Sequence, residues 1–176
     1  MRSELSRRAL LLGAAAIGIE PLFPSWARAK NSLRVGQPAP PAILVTLDGE
    51  RIATSSLTGR VVILTFWATW CGPCRQELPL LSAYAAQHAG AGLTVLGFSL
   101  DAPEDVSKVR AAARSLHFPV GLLASSSLPG YGRIWHIPVS FTIDRRGRLI
   151  DDGWKDRQPV WTAESLESIV TPLLSR

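Results

Sequence analysis

Cysteine is scarce in this sequence, which has two cysteines among its 176 residues, Cys71 and Cys74. A structural zinc site needs four ligands, and no further cysteine is present to complete one. The three histidines, His88, His117 and His136, are too far apart to supply an H-x3–5-H partner set. A purely structural disulfide is another interpretation, but this pair closes too short a loop to remove much chain entropy. The sequence therefore predicts no metal site and favours redox chemistry at the cysteine pair.

Charge is also sparse, since charged residues make up 19% of the chain and the formal net charge is +5. Four basic and two acidic side chains lie in residues 1–29, so 15 basic and 12 acidic ones remain beyond them. A surplus this small and scattered argues against a nucleic-acid partner, and we expect the pair Arg145-Arg146 to lie on a solvated turn. No repeat or low-complexity tract is present, which indicates one domain with a sizeable core.

No apolar run in the N-terminal region is long enough to cross a membrane. The uninterrupted run Ala9–Ile19 has 11 residues, whereas a membrane-spanning helix needs about 20. Arginines precede this run, and Ala27-Arg28-Ala29 follows it as a typical signal cleavage site. Residues 1–29 therefore have the pattern of a cleaved export signal, with an uncleaved membrane anchor as the weaker alternative.

Within that signal, Ser6–Leu11 resembles the twin-arginine export sequence of bacteria. We expect cleavage after about Ala29, a mature domain at residues 30–176 and a periplasmic location. Free thiols are normally oxidised in that compartment. A reducing protein there would need electrons from outside its own fold.

The cysteines lie between a predicted strand and a predicted helix. Val61–Trp67 is almost wholly apolar and rich in β-branched and aromatic residues, as in a strand buried on both faces. After Cys71 the apolar spacing becomes that of an amphipathic helix that runs to about His88. Residues three apart at the start of a helix have Cβ atoms roughly 5–6 Å apart, close enough for a disulfide.

A cysteine at a helix N-terminus faces free backbone N–H groups and the positive end of the helix dipole, which favour the thiolate. We therefore expect Cys71, at the helix end, to be the exposed nucleophile. Cys74, one turn further in, is expected to be the resolving thiol.

The rest of the chain predicts alternating strands and helices. Before the cysteines we expect a hairpin of Ala42–Leu47 and Arg51–Ala53 with a type I′ turn at Asp48-Gly49, and one helical turn at Ser55–Thr58. After them we expect a parallel strand, Leu93–Leu100, and a helix capped by Asp101 whose buried face is made by Val106, Val109, Ala113 and Leu116. A strand, Pro119–Ala124, and an irregular or helical segment, Leu128–Trp135, are expected next.

The last expected elements are an antiparallel pair of strands, Val139–Ile143 and Arg148–Asp152, and a closing helix. This helix runs from Thr162 or Ala163 to Leu174, and its apolar side is made by Leu166, Ile169, Val170 and Leu173.

The run FWATWCGPCRQELP, from Phe66 to Pro79, resembles the active site of the thioredoxin superfamily. It is most similar to the exported, TlpA/ResA-like branch. The resemblance implies an α/β, thioredoxin-like fold with a mixed central sheet and helices on both faces. It also implies that the N-terminal hairpin and a central helix–strand insertion are additions to the minimal fold.

In this branch a glutamate occupies the position of Glu77, where it can accept or return the proton of the resolving thiol. The alternative is an exposed glutamate on the helix surface. Thr65 stands where ordinary thioredoxins have a buried aspartate. Because threonine cannot titrate, Glu77 or solvent must take that role.

The resemblance further implies a substrate-binding surface around the cysteines, for which we expect Trp70, Gly72, Pro73, His136, Ile137 and Pro138. His136 departs from the family, which usually has a small residue at this position. Trp70 is expected to be a partly exposed platform, while Trp67 belongs to the core. Pro138 corresponds to the family's cis-proline beside the disulfide. His136 either lines the substrate groove or is a packed, hydrogen-bonded structural histidine.

The implied activity is thiol–disulfide exchange without a cofactor other than the Cys71–Cys74 pair. We expect the protein to be a monomer that reduces a particular protein disulfide with electrons from a membrane thiol donor. By resemblance the substrate is apocytochrome c or one of its assembly factors. Two alternatives stay open: a peroxiredoxin-like thiol peroxidase and a copper-delivery protein. This sequence does not clearly match the T-x-x-C motif of peroxiredoxins. Copper-delivery relatives usually have a C-x3-C pair, whereas this sequence has C-x-x-C.

Overall fold

The computed structural model describes residues 33–155 and 161–175, so the predicted export signal lies outside the described part of the chain. No helix within these two ranges is long and apolar enough to cross a membrane. The described strands and helices are β1 (Ile43–Val45), β2 (Arg51–Ala53), β3 (Val61–Trp67), α1 (Gly72–His88), β4 (Leu93–Ser99), α2 (Val106–Ala113), β5 (Val120–Leu122), β6 (Val139–Ile143), β7 (Leu149–Asp152), α3 (Ala163–Ser165) and α4 (Thr171–Leu174).

Five strands form one mixed sheet in the order β5-β4-β3-β6-β7, with β3 at its centre. The strands β3, β4 and β5 are parallel, while β6 and β7 run antiparallel to their neighbours. Every residue of β3 is buried, because both faces of this strand are covered. The predicted thioredoxin-like fold and its strands are confirmed, with strand ends shifted by one or two residues.

The two faces of the sheet are covered differently. One core joins the sheet to α1, α2 and the C-terminal helices. The other core joins it to the hairpin β1–β2 and to the segment after β5, including Leu123, Leu128, Tyr131 and Ile134. The sheet is flanked by helices, as predicted, but on the second face these are short 3₁₀ helices and loops and not α-helices.

The N-terminal hairpin packs closely against the short strand β5. The N–H group of Leu47 donates to the carbonyl of Val120 at an N–O distance of 2.9 Å. A Cβ atom on Gly121 would lie 1.9 Å from the carbonyl oxygen of Val45, so only glycine permits this approach.

The predicted type I′ turn of the hairpin is wrong. Gly49 has φ 88°, but only glycines have positive φ among the described residues, so Asp48 does not adopt the conformation that a type I′ turn requires. The N–H of Gly49 instead donates to the carbonyl of Thr46 at 2.9 Å. This makes a longer loop in which glycine alone has the left-handed conformation.

The central helix–strand insertion is present, but Asp101 does not cap its helix. A 3₁₀ turn, Pro103–Asp105, precedes α2, and its N-cap is Ala102. Asp101 is instead buried and bonded elsewhere. The predicted helical turn near Ser55 is a 3₁₀ turn at Thr54–Leu57.

The segment Leu128–Trp135, between β5 and β6, is irregular, as one of the two sequence interpretations had it. Tyr131 anchors it, with a fully buried ring and a hydroxyl that donates to the carbonyl of Pro40 at 3.0 Å.

The closing helix spans the predicted residues but is not uniformly α-helical. Thr162 caps α3 through a capping box with Ser165, and a π-helical stretch, Leu166–Val170, then leads into α4. The N–H of Thr171 donates to the carbonyl of Leu166, five residues back. Pro172 has no N–H to continue the α-helical pattern, which places the irregularity just before it. Leu166 and Val170 are buried, as predicted.

Arg145 links three parts of the fold at the sheet edge remote from the cysteines. Its guanidinium donates to the carbonyls of Gly59 and Ala91, each at 2.7 Å, and to those of Leu174 at 2.8 Å and Leu173 at 3.3 Å. The predicted turn is present and Arg146 is exposed on it, but Arg145 is half-buried and bonded, so the expected solvated position is wrong for Arg145. Its five fixed donors suit a site where several carbonyl groups converge.

Replacing Arg145 by alanine should lower the free energy of unfolding by about 2 kcal/mol, because these carbonyl groups lose a charged donor. Urea unfolding of the oxidised protein measures the change. Arg146→Ala removes the same side chain at the exposed neighbouring position and should change stability by less than about 0.5 kcal/mol. Equal effects of the two substitutions would contradict the linking role.

Candidate active site

The cysteine pair lies where the central strand turns into α1. After β3 ends, the chain turns at Ala68, whose carbonyl accepts the N–H of Cys71 at 3.1 Å. Cys71 is the N-cap of α1, and its sulfur accepts the N–H of Cys74 at 3.2 Å. The helix therefore directs a free N–H group at Cys71 Sγ, which favours a thiolate there.

The structure represents the oxidised state, with a disulfide between Cys71 and Cys74 and a Cα–Cα distance of 5.3 Å. Cys71 is 5% exposed and Cys74 is fully buried. The predicted order of exposure is found, but in the oxidised state Cys71 is much less exposed than expected because its sulfur is bonded inward to Cys74.

The two residues on either side of Cys71 in the sequence, Trp70 and Gly72, are themselves more exposed than Cys71. Trp70 is 67% exposed, whereas Trp67 is buried in the core as predicted. A Cβ atom added to Gly72 would meet no atom within 4 Å. Pro73 occupies the first turn of α1, where its missing N–H costs no helical hydrogen bond.

Glu77 lies one helical turn beyond Cys74 and is only 2% exposed. Burial raises the pKa of its carboxyl from 4.5 to about 7, and a hydrogen bond from the backbone N–H of Trp161 offsets part of this rise. The Oε2 atom has no hydrogen-bond partner among the described residues. The interpretation of Glu77 as an exposed surface residue is therefore wrong.

Thr65 is also buried, at the centre of β3 between Gly97 of β4 and Ser140 of β6. A neutral side chain thus occupies this core position. Glu77 is the titratable side chain that α1 holds buried close to the cysteines.

The second wall of the site comes from a distant part of the sequence. The antiparallel pairing of Val139 with Phe66 brings the start of β6 to the end of β3. The Ile137–Pro138 peptide bond is cis, and Ile137 packs against the core that contains both cysteines.

His136 lies in an aromatic cluster just before this proline. Its ring centroid is 4.1 Å from that of Trp135 and 5.1 Å from that of Trp154. Neither ring nitrogen has a hydrogen-bond partner among the described residues. His136 is thus packed, as one interpretation had it, but it lacks the hydrogen bonds that were expected with that packing.

Trp135 and Trp154, which the sequence interpretation did not single out, build the outer part of this cluster. Their rings are stacked with centroids 5.9 Å apart and an interplanar angle of 8°. The indole N–H of Trp154 donates to the carbonyl of Tyr131 at 2.9 Å, which fixes that ring, while Trp135 is 73% exposed. Their spacing in the sequence does not predict that they are in contact. The antiparallel pairing of β6 and β7 brings together the segment before β6 and the segment after β7.

Among residues 33–155 and 161–175, no three His, Cys, Asp or Glu side chains are grouped as a metal site requires. The chemistry available to the site is that of the two sulfur atoms and the carboxyl of Glu77. A helix N-terminus that favours thiolate, and a second cysteine within bonding distance, are suited to thiol–disulfide exchange.

Thioredoxin-like thiol–disulfide oxidoreductases are the class of protein that this sheet and this cysteine pair define. The AhpC/TSA family profile matches residues 35–151, more than half of the chain, and the chain belongs to that family.

Individual relatives agree with this class. The thiol-disulfide oxidoreductase ResA of Bacillus cereus (strain ZK / E33L) is 28% identical over 142 residues, which cover 81% of this chain and 82% of that protein. The thioredoxin-like protein YneN of Bacillus subtilis (strain 168) is 30% identical over 132 residues, or 74% and 77% of the two chains. A thioredoxin family thiol:disulfide interchange protein from Chlorobium tepidum TLS has a TM-score of 0.64 and 30% identity, with coverage of 81% and 98%.

The protonation of Glu77 should make the stability of the oxidised protein depend on pH. Its pKa is about 7 when folded and 4.5 when exposed, so between these values the folded state holds a proton that the unfolded state has released. The stability that Glu77 contributes is complete below pH 4.5, falls as the pH rises to about 7 and is then constant. The total decline should be about 3 kcal/mol in urea unfolding.

Glu77→Gln removes the ionisation with little change in shape, so this variant should lose the decline and exceed the parent in stability at about pH 8. Glu104→Gln makes the same chemical change at an exposed position and serves as the matched control. A Glu77→Gln profile that parallels the parent across this range would show that Glu77 is not the titrating group.

Proposed function

We propose that this thiol–disulfide oxidoreductase works as a reductant of a particular protein disulfide outside the cytoplasm. The observation that carries the exchange chemistry is the placement of Cys71 as the N-cap of α1, with its sulfur accepting the N–H of Cys74 at 3.2 Å. The direction of electron flow rests on the resemblance of the run from Phe66 to Pro79 to exported reductases. A thiolate held in this way is a good nucleophile and also a good leaving group.

The reaction has two exchange steps. The Cys71 thiolate attacks one sulfur of the substrate disulfide, which forms a mixed disulfide and releases the second substrate sulfur as a thiolate. The Cys74 thiolate then attacks the sulfur of Cys71, so the substrate leaves fully reduced. Two electrons have passed to the substrate, and the enzyme is left with the Cys71–Cys74 bond. A membrane thiol donor returns the enzyme to its dithiol form.

Glu77 is assigned the proton transfer for Cys74. Cys74 must lose its proton before it can attack, and it is fully buried in the oxidised state. The carboxyl of Glu77, with a pKa of about 7, is close to half-ionised at neutral pH. Such a group can accept the thiol proton and return it when the enzyme is reduced again.

The substrate surface is assigned to the residues around the disulfide. Trp70, Gly72 and Pro73 form it on the α1 side, and His136, Ile137 and Pro138 form it on the β6 side. The exposed ring of Trp135 extends the second group outward. Aromatic side chains of this kind contribute large contact areas at a small entropic cost.

The proposed compartment is the periplasm, and the proposed substrate is apocytochrome c or one of its assembly factors. The support for export is the pattern of residues 1–29, with its arginines, short apolar run and Ala27-Arg28-Ala29 site. The support for the substrate is the resemblance of the run from Phe66 to Pro79 to the branch that serves cytochrome c maturation. We also propose that the protein acts as a monomer.

The direction of electron flow can be tested by the reduction potential of the Cys71–Cys74 pair. Equilibration with glutathione or dithiothreitol, followed by trapping of free thiols, should give a value near that of thioredoxin, about −270 mV. Because a low potential means that the dithiol readily gives up electrons, this value indicates a reductant. A potential near −120 mV, as in a strong periplasmic oxidant, would reverse the proposed direction.

The partner can be identified by trapping the mixed disulfide. Cys74→Ser leaves the first step intact and prevents the second, because a serine hydroxyl does not displace a thiolate. This variant should hold its substrate covalently through Cys71, and mass spectrometry of the complex from periplasm should identify a c-type apocytochrome or its assembly factor.

Cys71→Ser is the matched control and should trap nothing. A broad population of unrelated proteins would instead indicate a general reductase or isomerase. Complexes formed through Cys74 and not Cys71 would invert the roles of the two thiols. Rapid peroxide consumption without any trapped protein would favour the thiol peroxidase, and tight Cu(I) binding weakened by His136→Ala would favour copper delivery.

A further inference from the structure

Asp101 is a buried carboxylate that the two exchange steps do not use. It follows β4 and is 3% exposed. The parallel register pairs Trp67 with Ser99, at the ends of β3 and β4. Thr69 and Asp101, each two residues beyond this pair, therefore lie side by side.

The carboxylate of Asp101 holds Thr69 through two contacts. Oδ2 accepts the backbone N–H of Thr69 at 2.9 Å, and Oδ1 accepts its hydroxyl. Ser99 fixes the carboxylate from the other side, since its hydroxyl donates to Oδ2 at 2.7 Å and accepts the N–H of Asp101 at 3.1 Å. Both carboxylate oxygens thus have fixed partners.

Thr69 is the second residue of the turn that delivers Cys71 to the helix. The hydrogen bond that closes this turn joins the N–H of Cys71 to the carbonyl of Ala68. The N–H of Thr69 takes no part in that bond, so the turn alone does not fix its orientation. Asp101 supplies the missing acceptor and connects the turn to the sheet.

We propose that Asp101 is a positioning residue for Cys71. Through Thr69 it holds the turn in the geometry in which the sulfur of Cys71 caps α1 and accepts the N–H of Cys74. This inference rests on the thiol chemistry proposed for Cys71 but on no particular substrate. Its consequence is that the reactivity of Cys71 depends on a side chain from the loop that follows β4.

The proposal concerns hydrogen-bond geometry and not the negative charge, and one substitution separates the two. In Asp101→Asn the amide oxygen can accept the N–H of Thr69 and the hydroxyl of Ser99, as Oδ2 does. The amide NH2 can then donate to the hydroxyl oxygen of Thr69, which is both donor and acceptor. Asparagine therefore keeps all three partners and removes the charge.

The test measures alkylation of Cys71 by iodoacetamide as a function of pH in the reduced full chain, with Cys74→Ser as the background. Asp101→Ala should lower the rate at pH 7 by about fivefold and raise the pKa of the Cys71 thiol, as loss of an N-cap contact does. Thr69→Val keeps the backbone N–H contact and loses only the hydroxyl contact, so it should lower the rate by a smaller factor, about threefold. Asp101→Asn and Thr69→Ser should retain at least about half of the parent rate.

Ser82→Ala is the control for a purely structural effect. The Ser82 hydroxyl bonds to the carbonyl of Ser115 and to the ring of His117, which connects α1 to the chain after α2. This variant should lose stability in urea without a change in the Cys71 alkylation profile.

An Asp101→Ala variant that behaves in the same way, less stable but with unaltered Cys71 reactivity, would overturn the proposal. So would an Asp101→Asn variant as slow as Asp101→Ala, because charge would then be the cause. If Asp101→Ala does not fold, Thr69→Val decides, since it keeps the carboxylate. Alkylation needs no biological substrate, so its outcome is independent of whether the proposed partner is correct.

Discussion

The pairing of β3 with strands on both sides is the constraint on which the active site depends. β4 runs parallel to β3, and β6 runs antiparallel to it. The end of β3, the end of β4 and the start of β6 therefore meet at one edge of the sheet. They bring to that edge the cysteine turn, Asp101 and the cis-proline, three groups that lie far apart in the sequence.

At this edge, helix α1 favours the ionised form of Cys71 and the protonated form of Glu77. The N-terminus of α1 favours negative charge on Cys71, while the same helix buries Glu77 one turn beyond Cys74. Burial raises the pKa of this carboxyl to about 7, so at neutral pH about half of it is protonated. The N-terminal end of α1 thus favours a lower pKa for the Cys71 thiol, while the buried part of the same helix raises the pKa of the Glu77 carboxyl.

The two ends of the sheet differ in their contacts and in their exposure. At the end remote from the cysteines, Arg145 joins the loops before β3 and β4 to the end of the C-terminal helices. At the cysteine end, large side chains such as Trp70 and Trp135 are left exposed. Exposed aromatic surface beside a reactive group is typical of a binding site.

The sequence by itself determined the strand Val61–Trp67, the helix that begins at the cysteines and the alternation of elements that makes an α/β fold. These features depend on local periodicity and on turn residues, which act over a few positions. The resemblance of the run around Cys71 and Cys74 to the thioredoxin superfamily likewise depended on contiguous residues.

Tertiary structure decided what each isolated polar or aromatic residue does. Asp101 had the sequence pattern of a helix cap, but the parallel register of two strands placed it against Thr69 instead. The sequence was equally compatible with Glu77 at the surface and in the interior. In the folded structure Glu77 is buried and accepts a hydrogen bond from the backbone of Trp161, which is distant in the sequence. Trp135 and Trp154 became neighbours only through the turn between β6 and β7. A side chain's environment is set by residues distant in sequence, and local patterns carry no information about those contacts.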